Sequence, residues 1–469
     1  MGKAYAHLIK RIVYYPSRHR AHHPPQQRAR RCGKRGRNYN NWKCCQLLQG
    51  NRFAKFNTAE DDMRGDQSLG QDSPSDEKFR RMIRIFFDVT LRDALEGIEG
   101  ELERARAWRR ALFNAGLAGL DYPVEFGGQA LDSGKIAIWF EESNGRIPSE
   151  EELFGIGVGM ALPVIRDYGS DILKSRFLRP GLAGDEIWCQ LYSEPGAGSD
   201  LASLATKAIR DGDEWGVTGQ KVWTSGAQIS QMAILLARTD PHVPKHRGIT
   251  MFVLPMEQPG VAVRPLRQMT GAAEFNEVFL DEARIPSDWV IGDVNDGWRM
   301  AVALLAHERR QTGVASMRNL GRERLWGRVP IPVQQLIELA RSKRRTDDPI
   351  VRQELSQLWI NERIVGYLRG RGDTDPSIGK LWRTRQGQAA AEFAARMAFP
   401  ASPAWAAADE DAVFFAFQVL NCRGMSLGGG SDEIQKNTIG ERLLGLPREP
   451  AVDRNVPFSQ LTSVRREGS

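Results

Sequence analysis

From about Asp76 onward, apolar and polar positions follow regular spacings. Phe79, Met82, Phe86 and Val89 recur at three- and four-residue steps, the spacing of one helix face, and this helical texture extends to Leu117. The stretch Gly116-Leu-Ala-Gly-Leu-Asp-Tyr-Pro-Val-Glu-Phe-Gly-Gly128 interrupts it with Pro and Gly and reads as a loop. More helix follows to about Gly181. Between Ile187 and Ile291 the period shortens. Residues 205–211 and 214–221 flank Asp211-Gly212-Asp213, a hairpin signal, and residues 233–238 and 248–254 read as short apolar strands. Helical texture returns at Gly297 and runs to about Leu444, with a polar gap near residues 344–348. The pattern predicts a leader over residues 1–75, helices over 76–186, a β domain over 187–291, helices over 292–450, and a tail over 451–469.

Composition narrows the class. The 469 residues are 41% hydrophobic and 26% charged, ordinary for two to four globular domains and unlike disordered or collagen-like chains. No apolar run approaches the roughly 18 residues of a membrane span. Five cysteines (Cys32, Cys44, Cys45, Cys189, Cys422) make no disulfide framework and suggest a reducing compartment, the cytoplasm being the expectation. Cys44-Cys45 and the nearby histidines lack zinc spacing, so no metal site is expected. Cys189 and Cys422 read as small buried hydrophobes.

The net charge of +7 suggests nucleic acid or membrane partners until it is divided. Of 65 basic and 58 acidic residues, fourteen basic and one acidic fall in residues 1–60, a net of +13; the remaining 51 and 57 give −6. The basic segment has no helical or strand period, contains Pro24-Pro25, and is expected to be disordered. Three readings compete for it: a nucleic-acid or membrane arm, a mitochondrial transit peptide that would place the protein in the matrix, or sequence upstream of a true start at Met63 or Met82. The third is preferred.

Two segments carry candidate chemistry. Trp188-Cys-Gln-Leu-Tyr-Ser-Glu-Pro-Gly-Ala-Gly-Ser-Asp200 is a Ser/Gly-rich loop whose successive backbone N–H groups suit a polar ring or phosphate. Trp223-Thr-Ser225 sets an indole beside two hydroxyls, able to wall a planar cofactor and contact its edge. Taken singly, each also fits an ordinary turn or an ordinary buried Trp.

These segments resemble the flavin-binding signature of the acyl-CoA dehydrogenase family. So do Phe275-Asn-Glu-Val-Phe-Leu-Asp-Glu-Ala-Arg-Ile-Pro286 and Gly429-Gly-Ser-Asp-Glu-Ile-Gln-Lys-Asn-Thr-Ile-Gly-Glu-Arg-Leu-Leu-Gly-Leu-Pro447, in the same order. The actinobacterial members are the most similar. The resemblance implies an α-helical N-terminal domain, a β-barrel-like middle domain and a C-terminal four-helix bundle. It implies FAD, with Gln190, Tyr192 and Ser193 at the flavin edge and Gly198 and Ser199 where the loop meets flavin and acyl-CoA. Trp223 and Ser225 match the flavin contact, and Ser431 and Glu433 lie near the adenosine of FAD. The implied reaction converts an acyl-CoA to the trans-2-enoyl-CoA: a carboxylate removes an α-proton and flavin N5 accepts the β-hydride.

Straight-chain members place the basic Glu where this chain has Gly429. A branch resembling isovaleryl-CoA and long-chain enzymes supplies it from the first long C-terminal helix, at a Glu-Arg pair matching Glu308-Arg309. On a helix Glu308 shares a face with Leu304 and Leu305, and apolar neighbours raise a carboxylate pKa toward a useful base. Asp432 and Glu433 are the fallback. The resemblance gives the Gly429 N–H a carbonyl-polarising role and Arg309 a role in shaping the base and substrate region. His307 reads as a packed or capping residue. The family's Arg-x-x-Phe and Gly-Gly-x-Gly segments, which reach a neighbouring subunit's FAD, have no counterpart here; Arg318-Asn-Leu-Gly-Arg-Glu-Arg324 and Ser377-Ile-Gly-Lys-Leu-Trp382 stand instead. A homodimer or homotetramer is expected, a mixed oligomer remains open, and the implied electron acceptor is an electron-transfer flavoprotein-like protein. The alternatives are an acyl-CoA oxidase and a DNA-binding protein on the same fold.

Overall fold

The computed structural model describes residues 73–314, 331–370, 375–399, 410–448, 450 and 453–461. The basic leader, Cys32, Cys44, Cys45, Met63 and the 318–324 segment lie outside the described residues.

The first helix, α1 (Pro74–Ile85), begins at a capping box. Ser73 Oγ accepts the Asp76 N–H at 3.2 Å and the Asp76 carboxylate accepts the Ser73 N–H at 3.0 Å, which satisfies two donors at the helix start. Met82 lies inside this helix. A π-helical turn, Phe86–Thr90, leads to α2 (Leu91–Leu95), and that wider turn rotates the buried face. Ile83, Phe86 and Leu91 are buried, whereas Met82 and Val89 are exposed, so the predicted stripe is half right. Helices α3 (Glu101–Asn114) and α4 (Ser133–Glu142) follow, separated by the predicted Gly/Pro loop, then α5 (Leu162–Tyr168) and α6 (Asp171–Ala183).

The middle segment forms an eight-stranded sheet: β1 (Trp188–Leu191), β2 (Lys207–Asp211), β3 (Glu214–Ser225), β4 (Met232–Arg238), β5 (Ile249–Pro255), β6 (Val261–Leu266), β7 (Phe275–Pro286) and β8 (Val290–Ile291). The order is β6-β7-β3-β2-β4-β5-β8, with β1 parallel to β4. The predicted hairpin is present, Asp211 pairing with Glu214 across Gly212 at φ +61°. The sheet does not close into a barrel, contrary to the barrel-like expectation. Its path runs from β6 to the two-residue β8; helices cover one face, and side chains of the sheet's own strands fill the other.

Strand β4 shows why. All seven of its residues are buried. Ile234 and Leu236 pack with α5, α6 and the helix after the sheet, while Ala233, Leu235 and Ala237 pack on the opposite face with Val217, Phe252 and Ile285. Successive side chains of a strand point to opposite faces, so a strand buried on both reads as a continuous apolar run. Each fully buried Leu or Ile contributes about 1.5–3 kcal/mol.

Beyond the sheet, the C-terminal helices are α7 (Gly297–Val314), α8 (Val333–Ser342), α9 (Pro349–Gly370), α10 (Pro376–Met397), α11 (Glu410–Met425) and α12 (Asp432–Thr438). The polar gap predicted near 344–348 separates α8 from α9. The long helices α7, α9 and α11 each pack on α10, and α8, α9, α10 and α11 share the buried core of the helical bundle. Met300, Ala301 and Leu304 of α7 join the sheet's core cluster, which fixes the bundle to the middle domain. Among the described residues, no helix is long and apolar enough to cross a membrane.

Candidate functional site

The two motif segments in the β domain meet in space. Strand β1 pairs in parallel with β4, Gln190 opposite Ile234. Just past its end the Val222 N–H donates to Ser193 O at 2.9 Å, and Lys221 Nζ donates to Tyr192 O at 3.1 Å. The end of β1 thus lies against the end of β3, where the β3–β7 register shifts between Lys221 and Thr224. Inside that bulge, Trp223 adopts φ +62° and is 57% exposed, its ring edge-on to Phe275 at 5.8 Å. A left-handed Trp costs about 1–3 kcal/mol, and such strain concentrates at functional sites.

The arrangement fits a flavin. A strained strand presents a large apolar ring to solvent, where a planar group would bury it. Beside it, the partly exposed side chains of Gln190, Ser193 and Ser225 make no hydrogen bond among the described residues, so their donors and acceptors are available to a heteroaromatic edge. Tyr192 is buried at the junction. An added Cβ at Gly198 would meet nothing within 4 Å, and Gly198 and Ser199 are exposed. The loop therefore leaves open space where the resemblance puts cofactor and thioester.

What builds this junction is a charged pair that the sequence reading missed. Lys221 is fully enclosed, and its Nζ donates to Glu194 Oε1 at 2.8 Å, to Leu236 O at 2.8 Å and to Tyr192 O. Glu194 also accepts the Ala205 N–H at 2.7 Å and the Thr206 N–H at 3.0 Å. Burial alone would raise the Glu194 carboxyl; Lys221 and these donors outweigh it and hold it below the ordinary range. Reciprocal Glu194–Ala197 backbone bonds of 3.0 Å close the turn that follows. The available signal was a lysine at an inward position of an otherwise core strand.

The C-terminal motif forms a second cradle. Ser431 caps α12 by accepting the Ile434 N–H at 3.3 Å. Gly429 and Gly430 sit at φ +66° and +83°, and Gln435 Nε2 donates to Gly429 O at 2.9 Å and to Gly430 O at 3.3 Å. Lys380 of α10 anchors Asp432 at 3.0 Å. Glu433 is exposed; its own backbone N–H at the head of α12, and then Lys436, keep its carboxyl below the ordinary range. Asp432 is thus engaged by Lys380.

Glu308 and Arg309 belong to α7, as predicted, and their side chains lie outside the described ones. One residue earlier, His307 Nε2 is 3.7 Å from Asp167 Oδ2 of α5, a packed role as expected. Helix α12 packs on α10 and α10 on α7, so the glycine cradle connects to α7 through α10. Cys189 and Cys422 are buried, and burial pushes the Cys189 thiol up to about 12.

Comparison with known proteins gives consistent matches. The family model described as acyl-CoA dehydrogenase, N-terminal domain, matches residues 73–185, and that for the middle domain of the same family matches residues 189–283. Acyl-CoA dehydrogenase IpdE1 of Mycobacterium tuberculosis is 38% identical over 398 residues, 80% of this chain and 98% of that protein. FadE34 of the same organism is 38% identical over 72% of this chain and 46% of its own length. Among solved structures, the Tcur3481-Tcur3483 steroid ACAD gives a TM-score of 0.61 at 25% identity, covering 81% of this chain and 99% of that one. The ChsE4-ChsE5 complex from Mycobacterium tuberculosis gives 0.59 at 25% identity, covering 81% and 100%.

Proposed function

Since the chain belongs to the acyl-CoA dehydrogenase family, we propose that it dehydrogenates an acyl-CoA at the α,β-carbons with Glu308 as the base. The observation that carries this reading is the exposed, strained Trp223 beside the unengaged side chains of Gln190, Ser193 and Ser225. Bound there, FAD supplies the two-electron acceptor for the β-hydrogen.

The chain's own residues divide the remaining work. Trp223 walls the cofactor ring, and Ser193, Ser225, Gln190 and Tyr192 engage its polar edge. Gly198 and Ser199 face cofactor and thioester, and Ser431 and Glu433 meet the adenosine end. Glu308 of helix α7 takes the α-proton. The Gly429 N–H donates to the thioester oxygen as negative charge develops on it. Gly429 at φ +66° suits a residue whose contribution is a backbone donor rather than a side chain. Arg309 borders the base and the acyl-CoA.

The 25%-identical steroid ACAD supports a bulky, steroid-derived acyl group as substrate. The two-component complexes among the structural relatives support assembly with further subunits. Phe399, Leu427, Leu444 and Leu446 are exposed apolar side chains of the C-terminal region available for such contacts. Electrons then pass to an electron-transfer flavoprotein-like acceptor, in a cytoplasmic setting.

The test is anaerobic bleaching of the bound flavin by a panel of acyl-CoA thioesters, steroid-derived ones included, with Glu308→Gln alongside. The variant is expected to retain flavin and slow bleaching by about 10²–10⁴-fold. Undiminished bleaching in Glu308→Gln would remove Glu308 as the base.

A further inference from the structure

The C-terminal residues 453–461 run back across the β domain. Phe458 N–H donates to Val243 O at 3.0 Å and Ser459 N–H to Pro241 O at 2.9 Å, so this strap lies along the connection between β4 and β5. Two buried cations tie it to the loop that carries Gly198 and Ser199. Lys245, in that connection, reaches Asp200 Oδ2 of the loop at 2.9 Å and Asp453 Oδ2 of the strap at 2.7 Å. Asp200 Oδ2 also accepts from Ser203 Oγ at 2.5 Å. Arg238, 4% exposed, donates to Ala202 O at 2.7 Å, Leu204 O at 3.0 Å and Lys245 O at 3.1 Å. The Phe458 ring lies over the guanidinium, its centroid 3.6 Å from the guanidinium carbon. A cavity of about 320 Å³ remains between loop and strap, with Glu194, Gly196, Ser203 and Gln220 on one side and Phe458 and Leu461 on the other.

We propose that residues 453–461 are a latch, and Lys245 its positioning residue, holding the 196–203 loop in the conformation that receives acyl-CoA. This rests on the reading of Gly198 and Ser199 as thioester contacts. The physical basis is the loop's composition. Gly196, Gly198 and Ser199 are exposed, and a glycine-rich turn does not order itself. Its far end is held by burial of Leu201, Ala202 and Leu204 in the core and by polar bonds, of which those from other elements to Asp200, Ala202 and Leu204 come from Lys245 and Arg238. Both cations are covered by the strap. Loosening the strap hydrates Arg238 and releases half of the Lys245 bridge, so loop order falls without any change in the cofactor wall at Trp223.

Amide hydrogen exchange across residues 196–203 and steady-state kinetics on the full-length holoenzyme test this. Lys245→Met, Asp453→Asn and Phe458→Ala are each expected to speed exchange of the loop and to raise KM for acyl-CoA by about tenfold, the first two through the loss of a charge-assisted hydrogen bond and the third through the loss of the cation–π contact that covers Arg238. In all three, kcat and flavin content stay near wild type. Lys245→Arg restores KM. Exchange that is unchanged in both Asp453→Asn and Phe458→Ala overturns the latch. So does faster exchange with an unaltered KM. A wild-type chain that no acyl-CoA bleaches would instead sink the dehydrogenase reading, and the exchange arm would still decide whether the strap holds the loop.

Discussion

Replacing Lys221 by Met should destabilise the middle domain and empty the candidate cofactor site together. Lys221 Nζ has three acceptors within 3.1 Å and no contact with solvent. Met fills a similar volume but donates nothing. Glu194 would keep its bonds from Ala205 and Thr206 and lose the cation bonded to it, while Tyr192 O and Leu236 O would lose donors. Breaking a buried pair from one side costs about 3–5 kcal/mol, most of it the stranded charge. Lys221→Met/Glu194→Gln should therefore be more stable than Lys221→Met alone. Because Tyr192 O is one of the lost acceptors, the end of β1 should loosen from β3 and flavin per chain should fall. The assay is urea unfolding followed by tryptophan fluorescence, with flavin absorbance per chain and the exposed Lys207→Met as control. A multidomain chain need not unfold in two states, so the comparison belongs to the middle-domain transition. A Lys221→Met midpoint equal to that of Lys207→Met, with full flavin, would refute the reasoning.

The other predictions are more local. Trp223→Ala removes an exposed ring, so the unfolding midpoint should move by less than about 1 kcal/mol while bound flavin falls about tenfold, measured by absorbance after gel filtration. Gly430→Ala places a Cβ 2.7 Å from Gln435 Nε2 at φ +83° and should slow flavin bleaching by about 10²-fold. Gly428→Ala, whose Cβ meets only Gly424 O at 3.6 Å, should be nearly silent, and equal rates for the two would disprove a geometric role for the cradle. Asp76, bonded by Lys135 and Ser73, has its pKa lowered to about 2. A lowered carboxylate contributes stability above its unfolded value, about 3.9, and loses it as pH falls toward the folded one. The stability gap between wild type and Asp76→Asn should thus be complete above pH 4 and close near pH 2; a gap that persists at pH 2 would contradict this linkage.

Much of the element order was legible because burial imposes periodicity. The hairpin at Gly212 and the apolar run of β4 followed from local rules. The face of α1 was misjudged because a π-helical turn at Phe86–Thr90 shifts the phase, and nothing in the spacing of Phe79, Met82, Phe86 and Val89 announces that turn. The barrel-like expectation failed at the sheet edges, since closure depends on partners that a strand's own residues do not name.

The candidate cofactor site divides along the same line. Residue types and order alone marked Trp223, Ser225 and the Ser193–Ser199 loop as candidate chemistry, because chemistry needs particular groups wherever they lie. Only the tertiary structure decided that Val222 bonds Ser193, that Lys221 and Glu194 form the post between them, and that Lys245 joins residues 200 and 453. Those contacts span from 27 to 208 positions along the chain. Local sequence carries propensities over a few residues; a buried charge finds its partner only when the whole core closes around it.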